Sequence, residues 1–215
     1  MKKIAVILSG CGYLDGAEIR ESVLSMLYID ANNAKAFCFA PNIDQHHVIN
    51  HLTKEETKET RNVLAEAARI ARSDIKPLSD LDAKNFDALI VPGGYGVAKN
   101  LSNLAFKGAS AEVLPEFKQK LEEFLQQAKP IGLICIAPAV GVAALKQGVV
   151  TIGTDEGTAS AINAMGGKHI TCQTDEICID EERKIVSTPA YMHDDRISVI
   201  ASGIEKLVRK VVELA

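Results

Sequence analysis

The stretch KPIGLICIAPAV, residues 129–140, reads as a buried strand turning into a helix around one cysteine. Ile131 to Ile134 is a short apolar run of the kind found in central parallel strands. Pro138 falls where a first-turn proline is tolerated, and Ala139, Val140 and Ala143 to Leu145 can continue the helix. A thiol on that corner points out of the sheet toward unpaired N–H groups at the positive end of the helix dipole. Such surroundings favour the thiolate, which is the nucleophilic form. The plainer reading of Cys135 is a small buried hydrophobe, as most intracellular cysteines are. The rest of the chain decides between the two.

Working outward, strand and helix alternate. Lys3 to Leu8 reads as a buried strand, followed by a glycine-rich turn at Gly10, Gly12 and Gly16. Ala17 to Ala31 reads as a helix with Ile19, Val23, Leu24, Met26, Leu27 and Ile29 mainly along one face. Further strands are expected over Lys35 to Ala40, Ala88 to Val91 and Val150 to Ile152, and helices over Asn62 to Arg72, Val113 to Ala128 and Ser160 to Met165. Ile177 to Ile179 and Lys184 to Thr188 are placed to pair around a charged turn, and Ile197 to Leu214 reads as a closing helix. The alternation predicts an α/β fold, a single flavodoxin-like domain over 1–215 with a mostly parallel sheet and helices on both faces.

Composition narrows the function. The 215 residues are 47% hydrophobic and 24% charged, enough for a sizeable core. A net charge of −4 gives no electrostatic footprint for nucleic acid or an anionic membrane. Five cysteines without a compact framework of spacings point to free thiols in a reducing compartment, and Cys172 and Cys178 lack the matching pair of a zinc site. The start, MKKIAVILSGC, mimics a lipoprotein signal, but Ile4 to Leu8 is shorter than a secretory apolar core. The expectation is a cytoplasmic protein.

Ligands in doubly wound sheets bind outside the carboxyl ends of the strands. Three features fall there: the turn at Gly10-Cys11-Gly12, the turn Pro92-Gly93-Gly94-Tyr95-Gly96, and Cys135. The N–H groups of Gly94 and Ile136 could together hold an oxyanion. Gly10, Cys11, Gly12, Asp15, Tyr95 and Asn100 are the candidate pocket residues. The glycine spacing after the first strand misses a dinucleotide fingerprint by one residue, and no acid ends the second strand. Glu18, at the start of the first helix, could stay protonated beside the thiol and shuttle protons, or simply complement the helix dipole. His193 could act as a base, although a solvated loop histidine is the plainer reading. His47 and His51 have helical ligand spacing but no third ligand, and His46 carries no signal.

Together these elements resemble the ThiJ/PfpI superfamily, the glutamine-amidotransferase-like group with a cysteine nucleophile elbow. The resemblance runs over nearly the whole chain. It is nearest the ElbB-type branch linked to isoprenoid biosynthesis and to glyoxalase activity. It is carried by ILSGCGYLDGAEIRE (7–21), NHLT (50–53), ETRNVLAEAARIAR (59–72), DALIVPGGYGVAKNLSN (87–103), CIAPA (135–139), TIGTD (151–155) and STPAYM (187–192). It implies that Cys135 is the elbow nucleophile, Glu18 its carboxylic partner, and Gly94 and Ile136 the oxyanion amides. Many members carry histidine directly after the cysteine; here Ile136 stands there, which tells against peptidase or amidotransferase chemistry.

The expected activity is a cofactor-independent glyoxalase acting on a small 2-oxoaldehyde, with no metal, nucleotide, nucleic-acid or membrane partner. A homodimer is expected from the resemblance. The rival reading is a non-catalytic redox sensor or metabolic regulator that kept the elbow cysteine.

Overall fold

A computed structural model describes residues 1–215. Strand β1 (Lys2–Ile7) leads through the glycine turn into helix α1 (Ile19–Ala31), then β2 (Ala34–Ala40), α2 (Val63–Ile70) and the short β3 (Ile75–Pro77). There follow β4 (Ala88–Val91), the short helices α3 (Tyr95–Lys99) and α4 (Leu104–Lys107), and α5 (Pro115–Gln126). Next come β5 (Ile131–Ile134), α6 (Ala137–Leu145), β6 (Val149–Val150), α7 (Glu156–Ala164) and β7 (Lys168–His169). The chain closes with β8 (Cys178–Asp180), β9 (Ile185–Thr188) and α8 (Ile197–Leu214).

Seven strands form the main sheet in the order β3-β2-β1-β4-β5-β9-β8. All its pairings are parallel except that of β8 with β9 at one edge. β6 and β7 make a separate two-stranded parallel pair. Strand alternation divides the core between the two faces of the sheet. Ala5 and Ile7 of β1 join Leu89, Val91, Ile131 and Leu133 under α5, α6 and α7. Ile4, Val6 and Leu8 join Ile90 and Ile134 under α2 and α8. At Gly132 an added methyl group would stand 3.0 Å from Leu207 of α8, so this glycine sets how closely that helix sits on β5. No helix is long and apolar enough to cross a membrane.

The expected α/β layout with helices on both faces is the observed one. The pairing of the 177–179 and 184–188 segments is present as the antiparallel β8–β9 hairpin. One element departs from expectation. α1 buries Glu21, Ser22, Ser25 and Ile29, while Ile19, Val23 and Leu27 are exposed. Half of its apolar residues therefore face outward; Ile29 is fully buried and Leu24 and Met26 pack against the core, and Glu21, Ser22 and Ser25 share the inward side with them.

Candidate active site

The chain reverses sharply between β5 and α6, and Cys135 takes the reversal with φ +62°, a left-handed conformation rarely held by a residue with a side chain. Its amide donates to the Thr188 carbonyl at 3.0 Å, which ties the elbow to the end of β9. Pro138 sits in the first turn of α6, as expected. The backbone amides of Gly94 and Ile136 lie beside the sulfur and favour its ionised form. These are the two groups singled out from sequence, and the fold brings them together around the thiol.

The carboxyl group on the sulfur belongs to Glu21, one helical turn after Glu18. Glu21 is fully buried. Its Oε2 accepts from the Gly93 amide at 2.8 Å and its Oε1 accepts from the Tyr191 amide at 3.3 Å, and its carboxyl lies beside the Cys135 thiol, each group shifting the other's ionisation. Burial, and next the negative charge of Glu18, push it up to about 8, so at neutral pH it is mostly a neutral acid. Glu18 is corrected to a different position. Its carboxylate caps α1, accepting from the Glu21 amide at 2.6 Å, and it lines the cavity wall without making the bond to sulfur. The cause is helical geometry: capping turns the Glu18 side chain back along the first turn, whereas position 21 faces the sheet.

The thiol is corrected in the same way. The helix N-terminus was expected to favour the thiolate, and the Gly94 and Ile136 amides do pull in that direction. Burial outweighs them, and with the neighbouring Glu21 charge it raises Cys135 well above the ordinary thiol range. Sulfur and carboxyl thus form a protonated pair at rest, in which ionising one group opposes ionising the other.

Gly93 explains how closely the pair is held. A methyl group there would stand 2.5 Å from the Cys135 Cβ and 2.9 Å from Glu21 Oε2. Gly94, at φ +99°, passes against Gly16 and Glu18 with no room for a side chain.

Above the sulfur lies a cavity of about 540 Å³, bordered by Cys135, Ile136 and Gly94, with Tyr13, Tyr95 and Tyr191 among its walls. Of the candidate pocket residues, Tyr95 lines it. Gly10, Cys11, Gly12, Asp15 and Asn100 do not. Asp15 is turned into the protein, where Oδ2 accepts from the Ile49 amide at 2.7 Å. Asn100 donates to the carbonyls of Ser9 and Asp15 at 2.9 and 2.8 Å and accepts from the His46 amide at 2.9 Å. These residues brace the glycine turn from behind, which is why they lie at the right end of the sheet without reaching the cavity.

His193 is also committed elsewhere. Its Nε2 meets Thr154 Oγ1 at 3.1 Å and its Nδ1 meets Thr174 Oγ1 at 2.9 Å, so neither ring nitrogen is turned to Cys135. His51 meets the Ile49 carbonyl through Nδ1 at 3.0 Å and accepts from the Leu14 amide at 3.3 Å. Sequence reasoning missed Glu21, Tyr13, Asp155 and Tyr191; Gly93 it named as part of the glycine turn. Asp155 carried a readable signal, an acid directly before a helix.

Comparison with known proteins shows the family and the fold. The chain is 43% identical to the human mitochondrial protein named glutamine amidotransferase-like class 1 domain-containing protein 3, over 99% of this chain and 83% of the relative. It belongs to the glutamine amidotransferase-like class 1, or ES1, family. A solved isoprenoid biosynthesis protein with an amidotransferase-like domain from Ehrlichia chaffeensis superposes with a TM-score of 0.94 at 45% identity, over 100% of this chain and 99% of that one. Drosophila melanogaster DJ-1beta, at 17% identity and a TM-score of 0.53 over 99% and 95% of the two chains, shares the fold of the DJ-1/ThiJ/PfpI proteins. No family model matches the chain.

Proposed function

We propose that the protein is a glyoxalase needing no metal, nucleotide or glutathione, converting a small 2-oxoaldehyde to the 2-hydroxy acid. The observation that carries the reading is the Cys135 thiol lying beside the buried Glu21 carboxyl beneath a cavity, with the Gly94 and Ile136 amides next to the sulfur.

In this reaction the ionised fraction of Glu21 takes the thiol proton as Cys135 Sγ forms a bond to the aldehyde carbon. The carbonyl oxygen gains negative charge beside the Gly94 and Ile136 amides, then receives that proton from Glu21. The hemithioacetal C–H proton next passes to Glu21, giving an enediolate, and the hydroxyl proton shifts to the neighbouring oxygen. Reprotonation at the adjacent carbon leaves a thioester. Water then cleaves the C–S bond, releasing the 2-hydroxy acid and restoring the thiol. One substrate carbon is oxidised and its neighbour reduced, so no external electron acceptor enters. A pKa near 8 suits a group that must both accept and return a proton.

The redox-sensor reading is less well supported, because oxidation follows thiolate character and exposure. Cys135 is buried and its thiol is pushed up. The test is an assay of purified protein with glyoxal, methylglyoxal and glutamine, comparing wild type with Cys135→Ser. Hydroxy-acid formation by wild type alone supports the reading. Ammonia release from glutamine, or no turnover of either aldehyde, overturns it.

A further inference from the structure

The cavity is far larger than glyoxal requires, since about 540 Å³ is the size of sites that enclose drug-sized ligands. Its walls are also uneven in charge. Glu18 and the solvent-exposed Asp155 are the acidic residues of its lining, three tyrosines stand among the others, and no lysine, arginine or histidine lines the space. Two basic side chains touch the tyrosines from outside that lining. Arg20 donates to the Tyr191 hydroxyl at 3.0 Å, and Lys99 donates to the Leu14 carbonyl at 3.1 Å while lying over the Tyr95 ring.

Asp155 is the N-cap of α7, and its Oδ1 accepts from the Thr158 amide at 2.7 Å. Bonding to Thr158 holds its carboxyl below the ordinary value, so the charge persists at neutral pH. An anionic substrate would meet this carboxylate with no cation lining the cavity to receive it. A cationic one would gain from both the carboxylate and the aromatic walls.

We infer that the site takes a carbonyl compound larger than glyoxal, carrying an amine or guanidine cation away from the carbonyl, and that Asp155 selects for that charge. This rests on Cys135 being the reacting group of the cavity, as proposed above.

The test uses three methanethiosulfonate reagents of similar size, with ethylammonium, uncharged and ethylsulfonate tails. Modification of Cys135 is followed by peptide mass spectrometry and normalised to 2-mercaptoethanol. Cys135 should prefer the ammonium over the sulfonate reagent by roughly tenfold, and the preference should shrink with added salt. Asp155→Asn should cut it by roughly three- to fivefold while leaving the neutral reagent's rate within about twofold. Asparagine caps a helix about as well as aspartate, so α7 should remain formed.

A non-covalent arm uses agmatine and glutarate, read by amide NMR shifts at Gly94, Ile136 and Thr158. Agmatine should shift these signals in wild type and much less in Asp155→Asn, and glutarate should not. Equal or faster modification by the sulfonate, glutarate binding without agmatine binding, or an unchanged preference in Asp155→Asn would overturn the inference. Cation preference without glyoxal turnover would sink the proposed reaction and leave this inference standing; turnover without charge preference would do the reverse.

Discussion

Helices α1 and α8 pack against each other on one face of the sheet, yet they bury opposite kinds of surface. α8 follows the common pattern and turns Ile200, Ile204, Leu207, Val208 and Val211 inward. α1 turns Glu21, Ser22 and Ser25 inward and leaves Ile19, Val23 and Leu27 exposed. Its serines remove their own polarity by donating to carbonyls one turn back, Ser22 to Glu18 and Ser25 to Glu21, each at 2.7 Å. Glu21 is left as a buried acid held by the Gly93 amide of the glycine loop and the Tyr191 amide after β9, beside the elbow sulfur. One helix is built for cohesion and its neighbour for delivering a carboxyl group to sulfur.

Four experiments would break or sharpen this contrast. The largest effect is expected at Glu21. Glu21→Gln keeps the shape and, through its one carbonyl oxygen, the bond from either Gly93 or Tyr191, but it cannot exchange a proton, and it should lower glyoxal turnover by roughly 10²–10⁴-fold. Glu18→Gln should lower it by no more than about tenfold, since that residue serves as a cap. A larger loss at 18 than at 21 would return the shuttle to Glu18.

Leu207→Ala in α8 should do the opposite. It should cost about 2–5 kcal/mol in chemical denaturation while leaving turnover per folded molecule close to wild type. Loss of turnover with full stability would show that α8 also serves the site.

Next comes a pH signature. The Glu21 carboxyl is near 8 when folded and near its ordinary 4.5 when unfolded, so between those values the native state holds the extra proton. Its stabilising contribution is complete below about 4.5 and is lost as pH rises toward 8. Wild type should therefore lose stability relative to Glu21→Gln across that window, by at most about 1.4 kcal/mol per pH unit. Parallel stability profiles for the two proteins would show that the carboxyl is not held neutral.

The smallest effect is expected on the outer stripe of α1. Val23→Ser should change stability by less than about 0.5 kcal/mol if that face is solvated in the monomer. A clear loss that depends on protein concentration, followed by light scattering, would show that the stripe is covered in solution.

The same contrast shows what the sequence could reveal. Strands β4 and β5, helix α8, the elbow at Cys135 and the amides of Gly94 and Ile136 were all legible, because buried parallel strands and long amphipathic helices write their pattern into neighbouring residues. The carboxylic partner was not. Glu18 stood out for its place at the helix start and from the family resemblance, and nothing in the apolar spacing of α1 marks position 21 as the one that turns inward. Asp15 and Asn100 sit at the correct end of the sheet, but only side-chain direction shows that they brace the loop from behind. β3 was missed because its three residues end in a proline and lack any run of apolar neighbours.

Those short outer strands have a consequence for how the molecule meets others of its kind. β3 at one edge and β8 at the other are three residues each, and Pro77 in β3 has no N–H to offer. Beside β8, Asp180 accepts from the Val149 amide at 2.8 Å and from Arg183, so side-chain bonds brace that border. Neither border presents the long row of free donors and acceptors on which a foreign strand could template itself. The sheet is closed to growth by strand addition even though it is not a barrel, and contacts between copies are left to helical and loop surfaces.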